Sequence, residues 1–228
     1  MNTSLTFSII FIATTLALVL GFASDRLALR LGLVDDPKRA SHKVHLHLTP
    51  LVGGIVLLLT LTIVLAWSGN LLEQPVLAIF IPAVIIFLFG LWDDYKILPP
   101  SVKILGQLVA TLVLVALGVQ VQLFQQNWLN LGLTIFWVVG ITNAYNFVDS
   151  MDGLAIGLAS LAAAFFMLIT TESQQAMLTL FSTILLGAGL GVFYHNAPPA
   201  RIFLGDSGAQ LLGFILAGKR VLERRLKA

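Results

Sequence analysis

Seven apolar stretches dominate this chain and leave it few ways to fold. They cover approximately Thr3–Ala23, Leu51–Trp67, Val76–Leu91, Ile104–Gln120, Leu131–Ala144, Leu154–Thr170 and Ala176–Tyr194. A helix that crosses a bilayer needs about 20 mainly apolar residues. The soluble alternative is excluded by composition: 11% of the 228 residues are charged and 58% hydrophobic, whereas a soluble domain carries about 25% charged residues. An eighth apolar piece, Gly208–Ala217, is too short to span alone. The expectation is an all-α, polytopic membrane protein with seven transmembrane helices plus a partial eighth. No Lys or Arg precedes Arg26, so the opening run reads as a retained helix and not as a secretory signal. Cysteine is absent, which removes disulfides, thiolate nucleophiles and cysteine metal sites.

Charge is distributed with a strong bias. If the connecting segments alternate sides, all 13 Lys and Arg fall on one of them: five in Ser24–Pro50, two in Trp92–Lys103, one in His195–Ser207 and five in Lys219–Ala228. The Asp and His residues share that side, and Glu73 and Glu172 lie on the other. The positive-inside rule then places the charged side in the cytoplasm and the N-terminus outside. On this reading residues 1–217 form the membrane domain and 218–228 a basic cytoplasmic tail.

The polar stretches on that side carry the candidate chemistry. In Asn143-Ala-Tyr-Asn146-Phe-Val-Asp149-Ser-Met-Asp152-Gly153, a polar residue recurs every third position between two apolar runs. Carboxylates at the edge of an apolar slab are costly and usually functional; the plainer alternative is a helix cap, which accounts for one Asp more easily than for two with two Asn. Asp93-Asp94-Tyr-Lys96 follows an apolar run directly. Paired acids there could hold Mg²⁺, serve as a base, or be a solvated helix end. Phe203-Leu-Gly-Asp206-Ser-Gly208 is a glycine-flanked carboxylate, suited to an anion at a helix start or to a plain turn capped by Asp206 or Ser207. His42, His45 and His47 lie in a basic loop with Lys43, a pattern more often facing solvent or phosphate than zinc. Taken together, acids, bases and glycine-rich turns on one face suit Mg²⁺-assisted chemistry on a phosphate at the membrane surface. Two other classes remain open: a secondary transporter, whose acids would sit near the midplane, and a non-catalytic fragment that binds a lipid carrier.

Four blocks occur in the order found in a known family: His-Lys43-Val-His45 with Pro50-Leu-Val-Gly-Gly54; Asp93-Asp94-Tyr-Lys with Ser101-Val-Lys103; the Asn143–Gly153 block; and Tyr194-His-Asn196 with Phe203-Leu-Gly-Asp206-Ser-Gly. In these the chain resembles the polyprenyl-phosphate N-acetylhexosamine-1-phosphate transferases of glycosyltransferase family 4, and within them the undecaprenyl-phosphate GlcNAc-1-phosphate transferase branch. The resemblance implies a multi-pass enzyme of the bacterial inner membrane, its site facing the cytoplasm. Its substrates would be undecaprenyl phosphate and a UDP-N-acetylhexosamine, with UMP released. The expected cofactor is Mg²⁺, with Mn²⁺ as a possible substitute; members of the family often form homodimers, and no nucleic-acid partner is expected. By similarity Asp206 is the metal ligand, and Asp93 and Asp94 activate or orient the lipid phosphate beside Lys103. Asn143, Asn146, Asp149, Asp152 and Asn196 would line the nucleotide-sugar pocket, while Lys43 and His45 would contact diphosphate or sugar.

The chain departs from the family pattern in three places. Asp149-Ser-Met-Asp152-Gly153 replaces the commoner Asp-Gly-X-Asp-Gly, and Leu51 stands where an Arg is usual. The family continues through further helices and a histidine-rich loop, whereas this sequence runs from Ala217 into Lys219-Arg-Val-Leu-Glu-Arg-Arg-Leu-Lys-Ala. The expectation is therefore a C-terminally truncated member with weak or no turnover.

Overall fold

A computed structural model describes residues 3–35 and 48–225; Lys43 and His45 fall outside them. The described residues form the helices α1 (Thr3–Leu31), α2 (Gly53–Trp67), α3 (Gln74–Tyr95), α4 (Pro100–Ala116), α5 (Asn127–Val148), α6 (Leu154–Glu172), α7 (Ala176–Asn196) and α8 (Gly205–Arg225). A short antiparallel pair, β1 (Val34–Asp35) with β2 (Thr49–Pro50), closes the loop after α1. The seven expected spans correspond to α1–α7. Five are long and apolar enough to cross a membrane: Ser4–Ser24 within α1, then α3, α5, α6 and α7. Helices α2 and α4 are apolar but shorter, at 15 and 17 residues. The chain is an all-α, multi-pass membrane protein.

Local sequence explains several boundaries. Proline stands in the first turn of α3 and of α4, where its missing N–H has no intrahelical acceptor to lose. Gly32 (φ 70°) and Gly118 (φ 87°) follow the ends of α1 and α4 in the left-handed conformation that stops a helix. Small residues set the closest packing. A Cβ on Gly187 would lie 2.7 Å from the Ala13 Cβ, and one on Gly191 2.5 Å from the Ala17 Cβ. These two four-residue spacings face each other across α7 and α1, the small-xxx-small device that lets membrane helices approach. Thr14 Oγ1 donates to the Gly187 carbonyl across the same seam at 3.0 Å.

Helix α8 corrects the expected C-terminal division. The 10-residue apolar piece and the basic tail are one helix as far as Arg225, rising about 30 Å at 1.5 Å per residue. It packs against α3, α5, α2 and α6, and buries Leu211, Leu212, Phe214 and Ile215. Lys219 is buried in the bundle: its Nζ donates to Ser182 Oγ of α7 and lies 4.6 Å over the Phe166 ring of α6. Ser182 and Phe166 belong to the halves of their helices nearer the 173–175 turn, the end opposite Gly205. The helix therefore runs away from the acidic loops as far as Arg225. Hydropathy reads Lys219 as the end of an apolar run. The bundle instead supplies a hydroxyl acceptor and an aromatic face for its ammonium.

Candidate active site

The starts of α2, α4, α6 and α8 and the ends of α3, α5 and α7 meet at one end of the bundle. Backbone hydrogen bonds join two of these pieces, the starts of α2 and α8. Phe203 N donates to the Pro50 carbonyl at 2.8 Å, Gly53 N to the Phe203 carbonyl at 3.0 Å and Gly54 N to the Leu204 carbonyl at 3.1 Å. The first amides of α2, which lack acceptors within their own helix, are thus satisfied by the strand leading into α8. The approach needs bare backbone: a Cβ on Gly54 would come within 2.5 Å of the Gly208 nitrogen.

Three acids and one lysine face one another beside this junction. Asp93 is buried; its Oδ1 accepts the Leu98 amide at 2.7 Å and its Oδ2 pairs with Lys103 Nζ. Lys103 Nζ also donates to Asp206 Oδ2 at 2.7 Å. Asp94 accepts the Asp206 amide at 2.7 Å on Oδ1 and the Ser207 amide at 3.1 Å on Oδ2. Asp93, Asp94 and Lys103 thus form one contact cluster with Asp206, which lies 103 residues from Lys103 in sequence. One ammonium balances three carboxylates, so the cluster is poised for further positive charge.

The 143–153 block does not form one helical stripe. Asn143 and Asn146 lie in the last turns of α5, Asp149 caps it, Asp152 sits in the turn, and Gly153 (φ 75°) enters α6. Asn143 and Gln107 of α4 exchange amide hydrogen bonds at 2.6 and 3.2 Å. Asp152 Oδ2 accepts the Ala200 amide at 3.0 Å, so it braces the loop after α7 and does not cap α6. Asn196 is buried, with Oδ1 on the Gly153 amide (3.1 Å) and Nδ2 on the Ile202 carbonyl (2.9 Å). Asn146 Oδ1 is buried without a hydrogen-bond partner among the described residues. The capping alternatives for Asp152, Asp206 and Ser207 are replaced by Gly153 and, for α8, by Asp94 of another helix.

Asp149 differs from its neighbours electrostatically. Burial, then the negative charges of Asp206, Asp94 and Asp152, push its carboxyl up to about 8. An acid raised in the folded state favours folding while protonated. Stability should therefore fall as pH rises from about 4, the unfolded value, to about 8, and level off beyond. Thermal unfolding between pH 5 and 8 should show this slope, up to about 1 kcal/mol per pH unit, and Asp149→Asn should flatten it. An equal slope in the variant would remove Asp149 as its source.

Two residues of the cluster escaped the sequence reading. Gln107 Nε2 reaches Gln210 Oε1 at 3.5 Å as well as Asn143, tying α4, α5 and α8 together; Gln107 and Gln210 are both buried. Their signal was available: each is a lone amide inside an apolar helix, where interhelical hydrogen bonding is the usual reason. Asp149 directly follows Val148, which lines an apolar cleft of about 370 Å³ between α5 and α6 together with Ala144, Tyr145, Leu158, Leu161 and Phe165.

Residues 76–222 match the family model for glycosyl transferase family 4. Over 201 residues the chain is 31% identical to a Bacillus subtilis protein named probable undecaprenyl-phosphate N-acetylglucosaminyl 1-phosphate transferase, covering 84% of this chain and 56% of that one. It is 33% identical over 186 residues to the phospho-N-acetylmuramoyl-pentapeptide-transferase of Limosilactobacillus fermentum, covering 74% and 58%. The protein of the same name from Limosilactobacillus reuteri is 33% identical over 196 residues, covering 76% and 60%. The chain thus spans less than two thirds of the length of these curated relatives.

Proposed function

Because the chain belongs to glycosyl transferase family 4, we propose that its acidic end transfers a sugar 1-phosphate from a UDP-N-acetylhexosamine to undecaprenyl phosphate, releasing UMP. The observation that carries this is the meeting of Asp93, Asp94, Lys103 and Asp206 from three helices at one end of the bundle. Phosphoryl transfer needs positioning and charge neutralisation more than covalent chemistry. The apolar cleft close to Asp149 supports a lipid acceptor. Acids at helix ends, not at mid-bundle, count against a transporter. We place this end in the cytoplasm, where UDP-sugars are, and take N-acetylglucosamine as the sugar because the Bacillus subtilis match covers more of this chain than the muramoyl matches do.

The donor set suits a hard divalent cation, since every acidic ligand candidate is an oxygen. Among the described residues no three His, Asp or Glu side chains are gathered at metal-ligand spacing. Mg²⁺ is commonly held by one or two carboxylates together with substrate phosphates. Asp206, with Asp93 beside it, would hold it, and the cation would neutralise charge on the diphosphate. Lys103 supplies a fixed positive charge for phosphate. Asp149, close enough to feel the charges of Asp206, Asp94 and Asp152, would take the proton of the lipid phosphate. Asn146 offers an unpaired acceptor to the nucleotide or sugar. Asn196 and Asp152 act from behind, by fixing the loop after α7. Lys43 and His45 keep the proposed role of diphosphate or sugar contacts.

Purified protein should bind UDP-N-acetylglucosamine in preference to the UDP-muramoyl pentapeptide. Any UMP it releases should require both Mg²⁺ and undecaprenyl phosphate. Asp206→Asn should lower release by at least about 100-fold. Absence of both binding and release would overturn the proposal, and release that survives Asp206→Asn would overturn the metal assignment.

A further inference from the structure

The two adjacent acids of α3 do different work. Successive residues on a helix point about 100° apart, and here the two carboxylates part company. Asp93 turns to Lys103 and the Leu98 amide. Asp94 turns to the first turn of α8, where each of its oxygens accepts one backbone amide, from Asp206 at 2.7 Å and from Ser207 at 3.1 Å. The first four amides of a helix lack partners within it. The usual remedy is a side chain from the residue just before the helix. In α8 the remedy comes from another helix, 112 residues away in sequence.

The surroundings are shaped for that contact. Gly205 is left-handed (φ 73°), and a Cβ on it would lie 2.7 Å from Asp94 Oδ2 and 2.9 Å from Oδ1. Gly90 lies one turn before Asp94 on the same face of α3; a Cβ there would lie 2.5 Å from the Ser207 Cα. Gly90 and Asp94 together make a seat, one bare and one charged, for the start of α8. From that seat the Asp206 side chain reaches Lys103. Each Asp94 oxygen spends a lone pair on an amide of α8, so the carboxylate is tied to the start of that helix.

We infer that Asp94 is a positioning residue. It caps α8 from α3 and so sets where Asp206 stands in the site, rather than acting on the lipid phosphate itself. The capping is independent of the proposed transfer; its catalytic consequence rests on that reading. Asparagine keeps one acceptor oxygen, and with it one of the two amide bonds, whereas leucine is close in size and has no acceptor.

The test compares Asp94→Asn with Asp94→Leu in detergent-solubilised protein. Hydrogen exchange over residues 205–212 reads the cap, and Mn²⁺ binding by electron paramagnetic resonance reads the placement of Asp206. In Asp94→Leu, exchange should rise by about tenfold, the size of a lost cap, and Mn²⁺ affinity should fall with it. In Asp94→Asn, which keeps one of the two bonds, both changes should be smaller, about threefold, and any loss of UMP release should follow the loss of protection. Unchanged exchange in Asp94→Leu would overturn the capping. Protected α8 in Asp94→Asn, with UMP release lost as fully as in Asp206→Asn, would show the carboxylate acting on substrate directly. The exchange measurement needs neither metal nor substrate, so a wild-type protein that neither binds the UDP-sugar nor releases UMP would refute the proposed transfer and leave the cap test readable.

Discussion

Gly90→Val is expected to cost about 3 kcal/mol or more of stability and to unseat the start of α8. Overpacking a well-filled site typically costs 1–3 kcal/mol, and this case lies at the upper end because backbone cannot swing aside. A single Cβ at position 90 would already meet the Ser207 Cα at 2.5 Å, its amide nitrogen at 2.8 Å and the Asp206 carbonyl carbon at 2.9 Å. Valine adds two methyl groups to that collision. The control is Gly132→Ala in α5, where nothing lies within 4 Å of the added Cβ. There the intrinsic preference of a helix for alanine, about 1 kcal/mol over glycine, should make the change neutral or stabilising. Thermal unfolding in the same detergent compares the two. If Gly90→Val melts with the wild type, the close seating of α8 on α3 is wrong, and with it the route by which Asp206 reaches Lys103.

That junction also shows what the sequence could and could not disclose. Apolar run length marked α1–α7, because a bilayer demands it of any spanning helix. The blocks around Asp93, Asn143 and Asp206 were visible because acids and amides are rare against an apolar background, and the structure brings the Asp93 and Asp206 blocks into contact. Gly90 carried no such signal: glycine in a membrane helix is common, and only a partner helix tells which one is an approach point. The end of α8 was misread for a related reason. A hydropathy window measures one helix at a time, while Lys219 is accommodated by Ser182 and Phe166 of two other helices. The partition of roles between Asp93 and Asp94 was hidden too, since adjacent letters give no direction in space. Lys43 and His45 lie outside the described residues, so their roles still rest on the motif.

Lys103→Met should produce two opposite changes, tighter divalent-cation binding and weaker turnover. Methionine keeps an unbranched side chain of similar length and removes only the charge. In the structure that charge lies between Asp93 and Asp206, so it occupies the place a divalent cation would compete for. Its loss leaves a buried Asp93 facing Asp206 with no ammonium between them. Removing one partner of a fully buried ion pair costs 3–5 kcal/mol; with the Lys103 side chain 27% exposed, water softens this to about 2 kcal/mol. The lost stability should return on adding Mg²⁺, which can then neutralise both carboxylates without displacing a lysine. Melting temperature measured against Mg²⁺ concentration should therefore rise at lower concentration in Lys103→Met than in wild type. UMP release should fall, because the lysine also provides the fixed positive charge proposed for phosphate. A variant that needs more Mg²⁺ than wild type would show that Lys103 helps to build the cation site instead of competing for it.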